Sequence, residues 1–201
     1  MKAYQITKEE LIEQIEGFIP SNEEEKADKE VILHALRTEE NVFSRENQIC
    51  HVTSSCWIVN KDWDKVLLCY HKIFQSWSWL GGHNDGEVDC LKVALKEAKE
   101  ESGLSHFQIL NDGKIFSLEI LTVDAHYRKG VYVPSHLHLN LTYLLQEDEK
   151  DRLIIKEDEN SGLRWVNLED VYTLSTEKWV VEHVYKKLNQ KLSILKKKRD
   201  M

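Results

Sequence analysis

Apolar positions recur at helical spacing through the first forty residues. Leu11, Ile12 and Ile15, then Val31, Ile32, Ala35 and Leu36, stand among glutamates and lysines. This pattern predicts two helices broken near Pro20, with Ser21 and Glu24 placed as a capping box for the second. From His51 the texture changes to β-branched and aromatic runs. HVTSSCWIVN and KVLLCYH, separated by the polar turn Lys61 to Asp64, predict a hairpin. IFSLEILTVDAHY and HLHLNLTYLL are strand-like as well, and after RWVNLEDV the chain ends in a long amphipathic helix from about Glu177.

Between the strand sets lies Gly81 to Leu104, GGHNDGEVDCLKVALKEAKEESGL, which predicts a loop followed by a helix. Asp89 is placed to cap its start, Leu91, Ala94, Leu95 and Ala98 form an apolar stripe, and Gly103 supplies a left-handed stop. Glu97, Glu100 and Glu101 then stand at i, i+3 and i+4, and their carboxylates are expected to converge on one point. Two unit charges about 5 Å apart repel by roughly 3 kcal/mol at an effective dielectric near 20, so burying such a cluster calls for a cation. Hard oxygen donors suit Mg²⁺ or Mn²⁺ shared with substrate phosphates. On the helix alone, a solvated face in which Lys92, Lys96 and Lys99 pair with these glutamates is the simpler alternative.

Composition narrows the setting. The 201 residues suffice for one domain with an appendage, so residues 1–44 are expected to be a helical extension packed on a core domain over 45–201. With 41% hydrophobic and 31% charged residues the chain reads as globular. A net charge of −8 argues against long nucleic acid as a partner. The basic run Lys196 to Arg199 closes a helix, where cations complement the dipole, and is assigned no function. No apolar stretch is long enough for a membrane span and the N-terminus has no leader-like segment, so a cytoplasmic location is expected. Cys50, Cys56, Cys69 and Cys90 lack a C-x-x-C pair and are expected to be reduced thiols.

The loop and helix together resemble the Nudix box: glycine, five residues, glutamate, seven residues, then Arg-Glu-aliphatic-any-Glu-Glu-any-Gly-aliphatic. Gly82 aligns with the first glycine, and Lys96 to Leu104 with the second half. Val88 replaces the first glutamate and Lys96 the arginine, which in the family pair to support the loop and helix. Glu87 and Asp89 stand close by as substitute acids. The resemblance extends to a subgroup with a His-x-Thr-x-Ser strand, here His51 to Ser55, then Leu67-Leu68, His71-Lys72, Trp79 and Gly81-Gly82-His83-Asn84-Asp85-Gly86, covering roughly residues 45 to 175.

What the resemblance implies is an α/β fold, a Nudix-type α/β/α sandwich with a mixed β-sheet and a helical N-terminal extension. It also implies a hydrolase cleaving the diphosphate linkage of a nucleoside diphosphate joined to another moiety. Glu97, Glu100 and Glu101 would hold Mg²⁺ or Mn²⁺, and Glu159 occupies a region where related enzymes supply a further carboxylate. Lys96, His83, His136 and His138 are the substrate-facing candidates. Alternation along His136 to Leu141 puts both histidines and Asn140 on one strand face; with no other ligand assigned, phosphate or base contact or plain exposure is preferred there to a transition metal. Trp57, Trp77 and Trp79 are expected in the core in preference to stacking on a base. The expected partner is a small-molecule diphosphate, with no long nucleic acid and no membrane, and a homodimer is left open. A prenyl-diphosphate isomerase on the same fold and a noncatalytic nucleotide-sensing module are the alternatives.

Overall fold

Capping chemistry sets where the N-terminal helices begin. In the computed structural model, which describes residues 6–72, 75–128, 130–155 and 160–200, α1 (Lys8–Glu16) follows Thr7. The Thr7 hydroxyl accepts from Glu10 N at 3.2 Å, while the Glu10 carboxylate accepts from Thr7 N at 2.7 Å. The expected break near Pro20 is present, and α2 (Glu23–Thr38) restarts the helix. Its cap differs from the Ser21/Glu24 box: Asn22 is the N-cap, its side chain accepting from Glu25 N at 2.8 Å. Ser21 turns instead to the buried Glu25, donating through its N–H and hydroxyl to Oε2 at 2.6 and 2.8 Å. A carboxylate that is 0% exposed needs those donors more than a helix end does. Leu11, Ile15, Ile32, Leu33, Ala35 and Leu36 are buried, whereas Val31, expected in the stripe, is 46% exposed.

The strands are β1 (Cys50–Val59), β2 (Lys65–His71), β3 (Ser76–Ser78), β4 (Leu80–His83), β5 (Gln108–Ile109), β6 (Ser117–Val123), β7 (His126–Arg128), β8 (Val131–Val133), β9 (His136–Gln146) and β10 (Asn160–Asn167). The central helix is α3 (Cys90–Ser102). After it come α4 (Val171–Leu174), α5 (Lys178–Val180), a π-helical turn over Val181–Tyr185, and α6 (Lys186–Arg199). The chain divides into two compact units, one of Met1–Ser55, Gly81–Ala94 and Lys114–Tyr143, the other of Cys56–Leu80, Leu95–Gly113 and Leu144–Met201. β1, α3 and β9 each contribute residues to both.

In the first unit α2 is tied to β6 by carboxylates. Glu25 Oε1 accepts from Ser117 Oγ at 2.9 Å and Leu118 N at 3.2 Å, and Asp28 Oδ2 from Ile120 N at 3.3 Å. β6 pairs antiparallel with β9, setting Glu119 opposite Asn140, Leu121 opposite His138 and Val123 opposite His136. β7 and β8 form a separate hairpin. In the second unit the predicted hairpin is present, with Val59 opposite Val66, and β2 also carries β3 and β10 on antiparallel pairings. Its core includes Trp57, Ile58, Leu67, Leu68, Tyr185 and Leu188.

The β1–β9 pairing makes the sheet mixed. Leu137 N donates to Ile49 O in the first unit and Glu147 N to Val59 O in the second. Both strands thus advance together by ten residues (59 − 49 and 147 − 137), which is a parallel ladder, while the β1–β2, β2–β10 and β6–β9 pairs run antiparallel. The fold is therefore α/β with a mixed sheet and N-terminal helices, as expected. The terminal basic run also has a local partner: Lys196 Nζ donates to Asp62 O at 2.6 Å, and the Arg199 guanidinium lies 4.5 Å from the Trp63 ring centre. Among the described residues no helix is long and apolar enough to cross a membrane.

Candidate active site

The loop before α3 is built on a close approach of two strands. A Cβ on Gly81 would sit 2.5 Å from Ser55 Oγ and 2.7 Å from Ser54 O, so only glycine lets β4 lie this near β1. Gly81→Ala is expected to cost about 1–3 kcal/mol, because the obstructing atoms include backbone that must shift. Chemical denaturation reads this directly, and an unchanged midpoint would show that the strands separate freely. Asn84 then locks the loop. Its Oδ1 accepts from Ser54 Oγ at 2.7 Å, and its Nδ2 donates to Glu87 O at 2.7 Å and Cys90 Sγ at 3.3 Å. One short amide thereby joins β1, the loop and the first turn of α3. The adjoining Asp85 accepts from Arg45 Nε at 2.6 Å.

Asp89 caps α3 as predicted, Oδ1 accepting from Lys92 N at 3.0 Å. Glu87 Oε1 accepts from Asp89 N at 3.1 Å while Oε2 meets the Lys92 ammonium, which holds the Glu87 carboxyl below the usual range. At the far end Gly103 has φ 72° and closes the helix, Gly103 N donating to Lys99 O at 2.9 Å.

On the last turns of α3, in the second unit, the glutamates differ in setting. Glu101 is only 4% exposed, and its Oε1 accepts from the amide of the fully buried Asn160 at 2.9 Å. Its negative charge is felt nearby: burial, and after it the Glu101 carboxylate, pushes the Cys56 and Cys69 thiols well up. The Glu97 side chain is 12% exposed and that of Glu100 41%. Lys96 Nζ lies 3.1 Å from Glu97 Oε1 and 3.8 Å from Glu100 Oε1. Lys96 is thus the cation beside Glu97 and Glu100, while the Asn160 amide donates to Glu101.

Among the described residues, the group of three metal-competent side chains that does close up is a different one. His51, His83 and His138 bring one ligand atom each to within 4.8 Å of one another. His136 and His138 share a strand face as alternation predicted, their Nε2 atoms 3.2 Å apart. Asn140, the third member of that face, instead forms a buried knot, Oδ1 accepting from Thr53 and Ser55 at 3.0 and 2.7 Å and Nδ2 donating to Glu119 at 2.9 Å.

A family model of the NUDIX domain matches residues 50–188. The chain belongs to the Nudix family. It is accordingly an enzyme of the Nudix pyrophosphohydrolase type. Among solved structures it is similar to a C. elegans Ap4A hydrolase in a binary complex, at 20% identity over 72% of this chain and 96% of that one, with a TM-score of 0.51. It is also similar to the Nudix hydrolase RenU from M. smegmatis, at 14% identity over 72% of this chain and 87% of that one, with a TM-score of 0.50. Both likenesses speak to the fold. No curated protein matches the chain.

Within this Nudix chain the two departures from the box have visible substitutes. Glu87 staples the loop to the helix where Val88 has no acid to offer, and Lys96 turns to the neighbouring glutamates. Trp57 is 0% exposed, a core residue that stacks on Tyr185 at 5.4 Å, whereas Trp79 is half-buried and meets the same ring edge-on at 5.1 Å. Trp77 packs edge-on against Tyr70 at 5.5 Å. The four cysteines are free and buried. Glu159 lies outside the described residues. Asn84 and Asn160 are buried hydrogen-bonding positions of the candidate site that sequence reasoning passed over; the Gly-Gly-His-Asn-Asp-Gly string was the one hint for the first, and nothing local marked the second.

Proposed function

We propose that this Nudix enzyme hydrolyses the P–O–P linkage of a nucleoside diphosphate joined to another moiety, with Glu97, Glu100 and Glu101 holding Mg²⁺ or Mn²⁺. The observation that carries this is the Glu101 carboxylate, 4% exposed and aimed by the Asn160 amide, on the same face of α3 as Glu97 and Glu100. The donor set fits the ion. Three carboxylates supply hard oxygens, and a buried negative charge that already raises two neighbouring thiols favours a cation beside it. Bound there, a divalent ion supplies charge neutralisation for the diphosphate and acidifies the attacking water.

The chain's own residues do the rest. Asn160 fixes one oxygen of Glu101, so that carboxylate does not have to reorganise when the substrate arrives. Lys96, beside Glu97 and Glu100, exchanges those partners for a phosphate oxygen and so contributes to binding. Glu100, the most exposed of the three, accepts the proton as water attacks phosphorus and the P–O bond to the leaving phosphate breaks.

A panel of diphosphate compounds with Mg²⁺ and Mn²⁺, read by product mass, tests this reading; Ap4A belongs in it because one similar structure is an Ap4A hydrolase. At least one member is expected to yield two phosphorylated or phosphate-bearing products in the wild type, and Glu100→Gln is expected to lose on the order of 10²-fold in turnover. Full turnover in that variant at saturating metal removes the assignment. Allylic rearrangement without phosphate release points to an isomerase, and binding without turnover to a sensor.

A further inference from the structure

We propose that His51, His83 and His138 form a second, chemically different metal site, one that takes a divalent transition ion of the Zn²⁺ class through three imidazole nitrogens. The residues come from β1, β4 and β9, all within the first unit, and their ligand atoms lie within 4.8 Å of one another. The site is independent of the glutamates on α3 and of the diphosphate reading.

The tautomers favour it. His51 is 3% exposed, and its Nδ1 lies 3.0 Å from Asn47 O. A carbonyl accepts only, so Nδ1 carries the proton and Nε2 keeps its lone pair. That Nε2 is buried and has no hydrogen-bond partner among the described residues. A buried acceptor left this way costs stability, and a backbone carbonyl on the opposite ring nitrogen is the usual support of a metal-binding histidine. His136 repeats the arrangement, with Nδ1 at 2.8 Å from Pro134 O and Nε2 turned to His138.

Spacing and charge agree. Zn–N bonds of about 2.0–2.1 Å in a tetrahedron place ligand nitrogens about 3.3 Å apart. His136 is not one of the three: its Nε2 lies 3.2 Å from His138 Nε2, a hydrogen-bond contact that holds the His138 ring. The rings of His51 and His83 are 5.2 Å apart and those of His83 and His138 4.8 Å, with one ligand atom of each within 4.8 Å of the others. Burial, with the charges of Arg45 and neighbouring histidines, pushes His83 down to about 3; burial, then His83 and His51, pushes His138 down to about 2. Three neutral nitrogens with no carboxylate among them are a poor match for Mg²⁺ and a good one for Zn²⁺, Co²⁺ or Ni²⁺.

The test uses the full chain stripped with a chelator, dialysed against Zn²⁺ in excess Mg²⁺, and measured for bound zinc. About one Zn²⁺ per chain is expected in the wild type and in Glu97→Gln, together with a raised melting temperature. His138→Gln and His83→Gln are each expected to weaken zinc binding at least tenfold, while the exposed His106→Gln leaves it unchanged. Co²⁺ in place of Zn²⁺ is expected to give the visible absorption of a low-coordinate nitrogen site. If a histidine variant fails to fold, the cobalt spectrum of the wild type decides alone. No retained zinc, a six-coordinate cobalt spectrum, or zinc that survives both histidine substitutions overturns the proposal. Zinc lost in Glu97→Gln and kept in His138→Gln overturns it too.

Discussion

Glu101→Gln is expected to lower kcat by on the order of 10²–10³-fold while leaving the melting temperature unchanged or slightly raised. The change keeps the volume of the side chain and removes its charge. An amide at 101 still offers one oxygen to the Asn160 amide, the bond now seen at 2.9 Å, so local packing has no reason to collapse. What it loses is a buried negative charge, whose desolvation opposes folding in a low-dielectric setting. A loss of activity with no loss of fold separates a role in chemistry from a role in scaffolding. Full turnover at saturating Mg²⁺ or Mn²⁺ would show that Glu101 is structural and that the three-carboxylate assignment is wrong.

Glu25→Ala is expected to destabilise the protein by about 3 kcal/mol, the range seen when a buried carboxylate that accepts several hydrogen bonds is truncated. Glu25 is 0% exposed and accepts from Ser21 N, Ser21 Oγ, Ser117 Oγ and Leu118 N, at 2.6 to 3.2 Å. Alanine removes the carboxylate that accepts from Ser21 N and Oγ, Ser117 Oγ and Leu118 N. For a chain of this length the shift corresponds to a fall in melting temperature of roughly 6–12 °C. Glu25→Gln is the informative control. One of its two positions becomes an amide donor facing either Ser21 N or Leu118 N, so an intermediate loss is expected where a simple cavity effect predicts almost none. Hydrogen exchange at Leu118 N reads the same event locally. A melting temperature within a degree of wild type for Glu25→Ala would mean that the helices are held by their apolar faces alone.

These two carboxylates mark the limit of what the chain shows on reading. Glu101 stands out in the sequence because its chemistry is local, one helical turn from Glu97 and adjacent to Glu100 in a recognisable box. Glu25 does not stand out at all. It sits in a run of three glutamates in the first turn of an amphipathic helix, and only its position opposite β6 distinguishes it from its solvated neighbours. The misplaced cap at Ser21 has the same origin. Ser21 and Asn22 are both good N-cap residues, and the buried Glu25 decides between them by recruiting Ser21.

The histidines divide in a similar way. Alternation along β9 put His136 and His138 on one face, and the pair is 3.2 Å apart as that requires. What made two histidines look insufficient for a metal was the lack of further ligands nearby. His51 and His83 are the missing members, brought in by β1 and β4. His51 precedes His138 by more than eighty positions, a separation no periodicity argument spans.

Interactions confined to one turn or one pleat were therefore determined by the sequence alone: the break at Pro20, the β1–β2 hairpin, the Asp89 cap, the Gly103 stop, and three acids on one face of α3. Those motifs depend on propensity and short-range hydrogen bonds, which a string of residues states in full. Tertiary structure decided which of the many polar side chains become buried partners, Asn160 with Glu101, Glu25 with Leu118, and His51 with His83 and His138. Such choices follow from strand pairing and the cost of leaving a polar group unsatisfied in the interior, and both are properties of the folded chain as a whole.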